Sequence, residues 1–501
     1  MALANFFNKA ALAASQILQG YNTEAFEQQL LDSPIEIAFD DFAINSHEGR
    51  ATLDLTIRLA ARLYPVLVLT ANGASSESYK VDLISIAQAI NPQIEIIHTI
   101  AKASIVVGAT KIKRDSPVFY IGSDNWLTLL SDSNPVLSGQ SDNPLAAGAA
   151  ACLAAANAFR VVFGNQLPNG NRDKEIRLSL IDFSQGENAK QVEGGIASTD
   201  LGEAILVGIG AIGNGALWAI KNIPKISGII TAVDDETIDL SNLQRYVLTD
   251  QHSVTEQKAE WAASLTSDTL CVKPYAGDWS SFVSSLSEWN FPAVLVAVDS
   301  AEARIAIQSS LPAKIYNAWT QSTDLGVSRH LDFLNDACLA CLYPPRKEQQ
   351  TESEIVASAL GLIGIEPEIR RLLYYNAPVN EPLIQQIAGA LSIPAEILLP
   401  FRDLPIREFY RQTICGNVTL SFNSGSQAET PMAFQSALAG ILLISELIIE
   451  QQQLRKTSIA TSTRIDLLRP LQEYLEDPVA KGQYCLCLDE DFKSQFIAKY
   501  R

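Results

Sequence analysis

Basic residues are scarce in this chain. Lys and Arg number 37 against 56 Asp and Glu, a formal net charge of −19 with a pI near 4.7. Binding a phosphate backbone needs clustered cations, so nucleic acid is excluded as the principal partner. No stretch reads as a membrane span. The most apolar run, Ala437 to Ile449, is shorter than the ~20 residues a bilayer takes and contains Glu446. The start, MALANFFNKAALAASQILQG, has no basic segment ahead of a continuous apolar core and so does not read as a secretory leader. Seven cysteines, an odd number without such a leader, indicate a reducing compartment, the cytoplasm, rather than a disulfide framework. The four histidines, at 47, 98, 252 and 330, show no metal-ligand spacing. There is neither an internal sequence repeat nor a low-complexity tract.

What is present is apolar mass: 47% of 501 residues are hydrophobic, enough for two to four domains with sizeable cores. Residues 34–183 alternate strands and helices. PIEIAFDDF and PVLVLTA read as strands, Gly49 to Leu63 as a helix, Asn143 to Phe163 as a small-residue helix and IRLSLIDF as a closing strand. This is α/β material without a phosphate loop of its own. Arg50, Arg58 and Arg62 read as a solvated helix face. The polar stretch 184–202 reads as a linker. Residues 351–412 form short helical patterns separated by Pro, Asn and Gly, a small helical insertion. A polar passage, NVTLSFNSGSQAE, leads to an apolar helix started by Thr430 and Pro431, and 458–467 reads as a last strand.

The stretch from Glu203 to Lys258 is the most informative. The apolar run Ala204 to Val207 suits a buried parallel strand, and Gly208, Gly210 and Gly213 follow at GxGxxG spacing at the start of a helix. Such glycines let a backbone approach a phosphate, and the helix N-terminus offers it unpaired N–H groups. A second apolar strand ends at Asp234, where an acid can hold a ribose hydroxyl pair. That much fits a NAD-dependent oxidoreductase or a flavin enzyme. The sequence Asp239-Leu240-Ser241-Asn242-Leu243-Gln244-Arg245, with Lys258 beyond, adds an amide and two cations. Hydride transfer has little use for them, whereas bringing a carboxylate up to a triphosphate requires neutralised charge.

These residues, in this order, resemble the adenylation domain of ubiquitin-activating enzymes and of their ThiF, MoeB and HesA relatives, over about a hundred residues to Asp299. Tyr246 stands where the family usually has Gln. The resemblance implies an α/β fold of two Rossmann-like domains forming a pseudo-dimer, the N-terminal one an inactive copy (1–185) and the other the active adenylation domain (186–348). A helical insertion (349–415) leads to the catalytic cysteine, and a crossover loop with the remainder of the adenylation domain follows (416–501). It further implies that Gly208, Gly210 and Gly213 pack against ATP, that Asp234 holds the ribose, that Asn242, Arg245 and Lys258 steady the phosphates, and that Asp299 carries magnesium. The partners implied are a ubiquitin-like protein with an exposed C-terminus and a conjugating enzyme. Relatives use an arginine from the opposing half. The first 30 residues contain none, which leaves a homodimer open. The layout is similar to activating enzymes of bacterial ubiquitin-like conjugation operons linked to phage defence. A sulfur-carrier-protein adenylyltransferase of molybdopterin or thiamine type would share the site but lacks the extra half and the insertion.

The cysteines divide by setting. Cys338 and Cys341 form a CxxC and Cys485 and Cys487 a CxC, four thiolates suited to a structural zinc or, alternatively, four buried thiols. The family's paired CxxC clip around zinc resembles this, one residue longer in the second pair. Cys152 and Cys271 read as core. Cys415 lies between the insertion and the polar passage with no cysteine neighbour, and the resemblance makes it the nucleophile that takes the acyl group as a thioester.

Overall fold

The computed structural model describes residues 2–192, 196, 199–344, 352–362, 364–391, 393–413, 430–471 and 476–501. The chain divides into two units, Met1–Pro344 with Pro431–Arg501, and Pro345–Thr430. The larger unit contains two sheets. The first comprises β1 (Ile35–Asp40), β2 (Val66–Asn72), β3 (Glu95–Ile96), β4 (Ala103–Val107), β5 (Val118–Asp124), β6 (Leu127–Ser131) and β7 (Glu175–Ser179), in the order β3-β2-β1-β4-β5-β6-β7. The second comprises β8 (Thr199–Val207), β9 (Ile226–Val233), β10 (Leu270–Tyr275), β11 (Val294–Val296), β12 (Ile315–Thr320), β13 (Leu325–His330), β14 (Ser462–Ile465) and β15 (Glu476–Asp477), in the order β10-β9-β8-β11-β12-β13-β14-β15.

Strand for strand, the two orders coincide up to the extra β15. So does the pairing sense. In each sheet the first five strands are parallel and the next two antiparallel. Two equivalent Rossmann-like layers therefore stand side by side without a detectable sequence repeat. The central parallel strands are apolar on both faces, as sheets covered by helices on both sides require. β6 and the N-terminal helices Phe7–Ser15 and Thr23–Leu31 escaped sequence reading, because their apolar residues lie in short stretches without a clear period.

Four helices join the layers: His47–Leu63 and Leu145–Phe163 from the first half, Ala211–Lys221 and Ala433–Gln451 from the second. Leu145–Gln166 and Ala433–Gln451 are each long and apolar enough to cross a membrane, yet 89% and 94% of their apolar windows are buried inside the protein. Small residues let these helices meet. A Cβ on Gly440 would overlap the backbone of Ile212 and Ala216, and one on Gly148 would overlap the Trp218 ring. Each Leu or Ile that the contact buries contributes roughly 1.5–3 kcal/mol.

Three expectations need correction. The last apolar helix starts at Ala433, with Met432 rather than Thr430 at its cap, because Gln435 accepts the Met432 N–H. Cys271 is exposed, since β10 is an edge strand. Arg62 is not on a solvated face: it is 2% exposed, in the seam between the halves, and Arg58 is half-buried beside it, leaving only Arg50 in solvent.

The smaller unit has its own core, in which Val356, Ile369, Leu373, Ile384, Ile387 and Phe409 from four short helices meet. A two-pronged Arg407–Glu352 ion pair, at 2.7 and 2.9 Å, ties its last helix to its first. The helical insertion read from the sequence is thus a compact unit.

In the larger unit, Glu446 is buried at the centre of the Ala433–Gln451 helix. It accepts from Arg329 at 2.9 Å and from both terminal nitrogens of Arg455 at 2.9 Å. Arg455 also donates to the Ile181 carbonyl at 2.7 Å, reaching the first half. Burial raises the Glu446 pKa, but the two guanidinium groups outweigh it and hold the carboxyl below the usual glutamate value. A depressed carboxylate contributes stability above its unfolded pKa, ~4.3, and loses it as pH falls through the lower folded value. Glu446→Gln should therefore cost roughly 3–5 kcal/mol near neutral pH, as for other broken buried ion pairs. It should also flatten the acid limb of the stability profile. Denaturant titrations from pH 7 downward will measure both.

Candidate nucleotide site and cysteine cluster

At the C-terminal end of β8 the chain turns through Gly208, whose φ of +92° favours glycine. A Cβ there would lie 2.7 Å from the Ala297 carbonyl, and one on Gly213 would overlap the Gly208 carbonyl. Gly210 caps the Ala211–Lys221 helix. Asn214, inside that helix, donates to the Ile209 and Gly210 carbonyls at 3.1 and 3.2 Å and so fixes the loop. The Ile209 N–H donates to Asp234 Oδ2 at 2.6 Å, which ties the end of β9 to the glycine turn.

Lys258 returns to this point through local pairing. Residues 236–238 bond back to 255–258, with the Ile238 N–H on the Glu256 carbonyl at 2.8 Å and the Lys258 N–H on the Glu236 carbonyl at 3.0 Å. The Lys258 ammonium is buried. It pairs with Glu236, lies 3.8 Å from Asp234 and sits 5.3 Å from the Tyr246 ring centre. Burial disfavours its charge, but Tyr246, Asp234 and Glu236 outweigh that and raise its pKa. The Asp234 carboxyl is raised by burial, which Lys258 and two backbone N–H groups only partly offset.

The 239–245 segment caps itself. Asp239 accepts the Ser241 N–H at 2.8 Å, and Asn242 Oδ1 accepts the Asp239 N–H at 2.9 Å. Asn242 is therefore engaged in holding its own loop. Arg245 follows, and its Nη1 is buried without a partner among the described residues. Tyr246, the departure from the family pattern, places its hydroxyl 3.6 Å from where a Cβ on Gly210 would be, against the glycine turn. Asp299 lies just past β11, the other parallel neighbour of β8. Its carboxylate is exposed and takes no hydrogen bond among the described residues, while its backbone carbonyl accepts from Arg304 at 3.2 Å. An open carboxylate suits a hard cation such as magnesium.

The structure thus brings together Gly208, Gly210, Gly213, Asp234, Arg245 and Lys258, with Asn242 and Asp299 at the same edge of the sheet. Sequence reasoning missed Asn214 and Glu236. An asparagine in the second turn of an otherwise apolar helix was the available signal for Asn214, whereas only the turn pairing reveals Glu236.

The equivalent edge of the first sheet is closed. Asp40, at the end of β1, accepts the Ala43 N–H at 3.1 Å and the Ala109 and Thr110 N–H groups at 2.8 Å. Asp41 accepts the Ser76 N–H at 2.8 Å. A Cβ on Gly108 would overlap the Asp40 carboxyl and one on Gly73 the Asp41 carboxyl. Two carboxylates occupy the N–H groups that a phosphate would need, and their charge would repel it.

Cys338, Cys341, Cys485 and Cys487 converge, all four Sγ atoms within 4.8 Å of one another. Individual separations are 3.8 Å for Cys338–Cys341, 3.4 Å for Cys338–Cys485 and 3.5 Å for Cys341–Cys487. A tetrahedron with ~2.3 Å metal–sulfur bonds has similar edges, so the donor set fits zinc. The Cys338 and Cys485 thiols hold the Cys341 pKa down, and the Gly482 N–H, which donates to Cys341 Sγ at 3.2 Å, adds to this. The short CxC spacing does not prevent closure, because Cys485 caps a 3-10 turn, Leu486–Leu488, and Cys487 lies within it. Cys152 is fully buried in its helix, and burial pushes its thiol pKa up. Cys415 lies outside the described residues.

The profile of the ThiF family matches residues 199–459, and that of the Prokaryotic E2 family C matches 38–164. Over its full length the chain is 42% identical to "Uncharacterized protein y4jF" of Sinorhizobium fredii (strain NBRC 101917 / NGR234), of which 98% is covered. It is 24% identical over 262 residues to "Adenylyltransferase and sulfurtransferase UBA4" of Vanderwaltozyma polyspora, spanning 48% of this chain and 58% of that protein. Among solved structures, E. coli MccB with ATP aligns at 13% identity with a TM-score of 0.36, over 57% of this chain and 66% of that one.

The glycine turn yields a direct test. Gly213→Ala forces a methyl group into the Gly208 carbonyl, so the loop must open. Mg·ATP binding by calorimetry should fall at least tenfold. Thermal unfolding should still show a folded larger unit, because the clash is confined to the turn between Gly208 and Gly213.

Proposed function

Because the chain belongs to the ThiF family, we propose that it uses ATP to activate the C-terminal carboxylate of a ubiquitin-like protein. The observation that carries this reading is the pair of cations beside the glycine turn: Lys258, buried and kept protonated, and Arg245, whose buried Nη1 has no partner among the described residues. A dinucleotide oxidoreductase has no task for them. In the reaction, a carboxylate oxygen of the partner attacks the α-phosphorus and the bond to the β-phosphate bridging oxygen breaks. Pyrophosphate leaves and an acyl-adenylate remains. Lys258 and Arg245 offset charge on the phosphate oxygens, Asp234 faces the ribose, and Asp299 would hold magnesium, which supplies further charge neutralisation when bound. The thiolate of Cys415 then attacks the acyl carbonyl, AMP departs and a thioester forms for transfer to a conjugating enzyme.

The first half serves as a nucleotide-free copy of the adenylation layer, with Asp40 and Asp41 standing where phosphates would. Its only cysteine within 38–164, Cys152, is buried with a raised pKa, which speaks against thiol transfer by that half despite its Prokaryotic E2 profile. The four-cysteine cluster holds zinc and fastens the C-terminal tail, whose Tyr500 hydroxyl donates to the Leu311 carbonyl at 2.9 Å. The odd cysteine count supports a cytoplasmic enzyme, and the similarity of layout is what supports a place in a bacterial ubiquitin-like conjugation system linked to phage defence.

The test takes as partner a small β-grasp protein ending in Gly-Gly, sought among the products of the neighbouring genes. ATP–pyrophosphate exchange should depend on it and fall by a hundredfold or more in Lys258→Ala. Cys415→Ala should keep the exchange but lose the reducible, partner-linked band on a non-reducing gel. Exchange with no Cys415-dependent band would favour a sulfur-carrier adenylyltransferase, and tight NAD binding without ATP binding would sink both. Zinc is checked separately. Metal analysis should find one equivalent per chain, and Cys341→Ser should lose it together with the protection of 476–501 from proteolysis.

A further inference from the structure

The His47–Leu63 helix belongs to the nucleotide-free half, yet it touches both arms of the nucleotide site. Arg62 Nη2 donates to the Tyr246 carbonyl at 2.6 Å and to the Thr249 carbonyl at 2.5 Å. One turn earlier, Arg58 donates to Asp54 at 2.9 Å and lies 3.5 Å from the Val247 carbonyl. Asp54 also accepts from the Trp218 indole at 2.7 Å, and Trp218 sits on the helix that begins at the glycine turn. One helix thus holds the segment just after Arg245 and the helix under Gly210 and Gly213.

Burying a guanidinium is costly unless its donors are satisfied. Arg62 meets that cost with carbonyls rather than a carboxylate: the Arg58 carbonyl takes Nη1 at 2.7 Å and the two loop carbonyls take Nη2. The remaining Nε has no partner among the described residues, and neither do the Tyr64 hydroxyl and Gln244 Oε1. All three side chains line one buried cavity of about 20 Å³, enough for a single water. Gln244 immediately precedes Arg245. A water there would accept from Arg62 Nε–H and donate to Gln244 Oε1, extending the same strut to the residue before Arg245.

The structure assigns Arg62 as a positioning residue. From the opposing half it fixes the 246–249 backbone through the Tyr246 and Thr249 carbonyls, and so sets where Arg245 and Tyr246 stand against the nucleotide. It touches no nucleotide itself. This rests on the adenylation reading above and gives the nucleotide-free half a defined part in it. A lysine at 62 retains one bond to a carbonyl but loses the fork and Nε. A methionine loses all of them.

Two measurements test the assignment on the full chain. Amide hydrogen exchange over 244–251 reports the backbone directly, and calorimetry reports Mg·ATP affinity. Arg62→Lys should exchange faster across 244–251 than wild type, with unchanged protection in β8 and β9, and should bind Mg·ATP about tenfold more weakly. Arg62→Met should go further in both where it folds. An Arg62→Lys protein with wild-type exchange over 244–251 and wild-type affinity overturns the assignment while leaving the adenylation reading standing. General loosening of β8 and β9 along with the loop also overturns it, since the residue would then be merely structural. A wild-type chain that binds no Mg·ATP overturns the adenylation reading, and the catalytic side of this assignment with it.

Discussion

The close approach of the Ala211–Lys221 and Ala433–Gln451 helices is the contact on which the rest of the larger unit depends. Gly215 and Gly440 let backbone meet backbone, where a Cβ at either position would collide with the facing helix. Tight contact between small residues leaves no slack for sliding, because interiors pack to crystal-like density. The glycine turn at the start of one helix is therefore held relative to the sheet, and the buried Glu446 in the other is held against Arg329 and Arg455. The same helices bring the first half near enough for His47–Leu63 to span the seam.

The two sheets share a strand order but not the chemistry at their strand ends. Both sheets end their central parallel strands at a switch point, the place where α/β sheets bind ligands. In the second sheet that place is lined by glycines, one shared carboxylate and two cations. In the first it is filled by Asp40 and Asp41, which take the available N–H groups themselves. The sealed half then remains as a scaffold whose buried arginine reaches across to the open one.

Lys258 illustrates why charge had to be read in three dimensions. In sequence it is one cation thirteen positions after Arg245. In the fold it is almost fully buried, its charge sustained by Glu236 and the Tyr246 ring. Glu236 was invisible as a partner because only the pairing of 236–238 with 255–258 brings them together. Likewise Asn242, an amide expected at a phosphate, spends its oxygen on capping its own turn.

The sequence by itself determined the second strand–glycine–helix unit, the acid at its neighbour's end, the two cations, the helical insertion and the two cysteine pairs. Each of these is written in local order, as a period, a spacing or a turn residue, and local order survives without tertiary information. Only the tertiary structure decided that Arg62 is buried, that Cys271 is exposed, that CxC closes on CxxC, and that the first half repeats the strand order of the second. Those depend on which surfaces meet. An arginine at a helical spacing reads as solvated until another segment's carbonyls cover it, and a strand cysteine reads as core until its strand proves to be an edge. The family resemblance implied a second copy, but a repeated strand order without a repeated sequence is established only by how the strands pair.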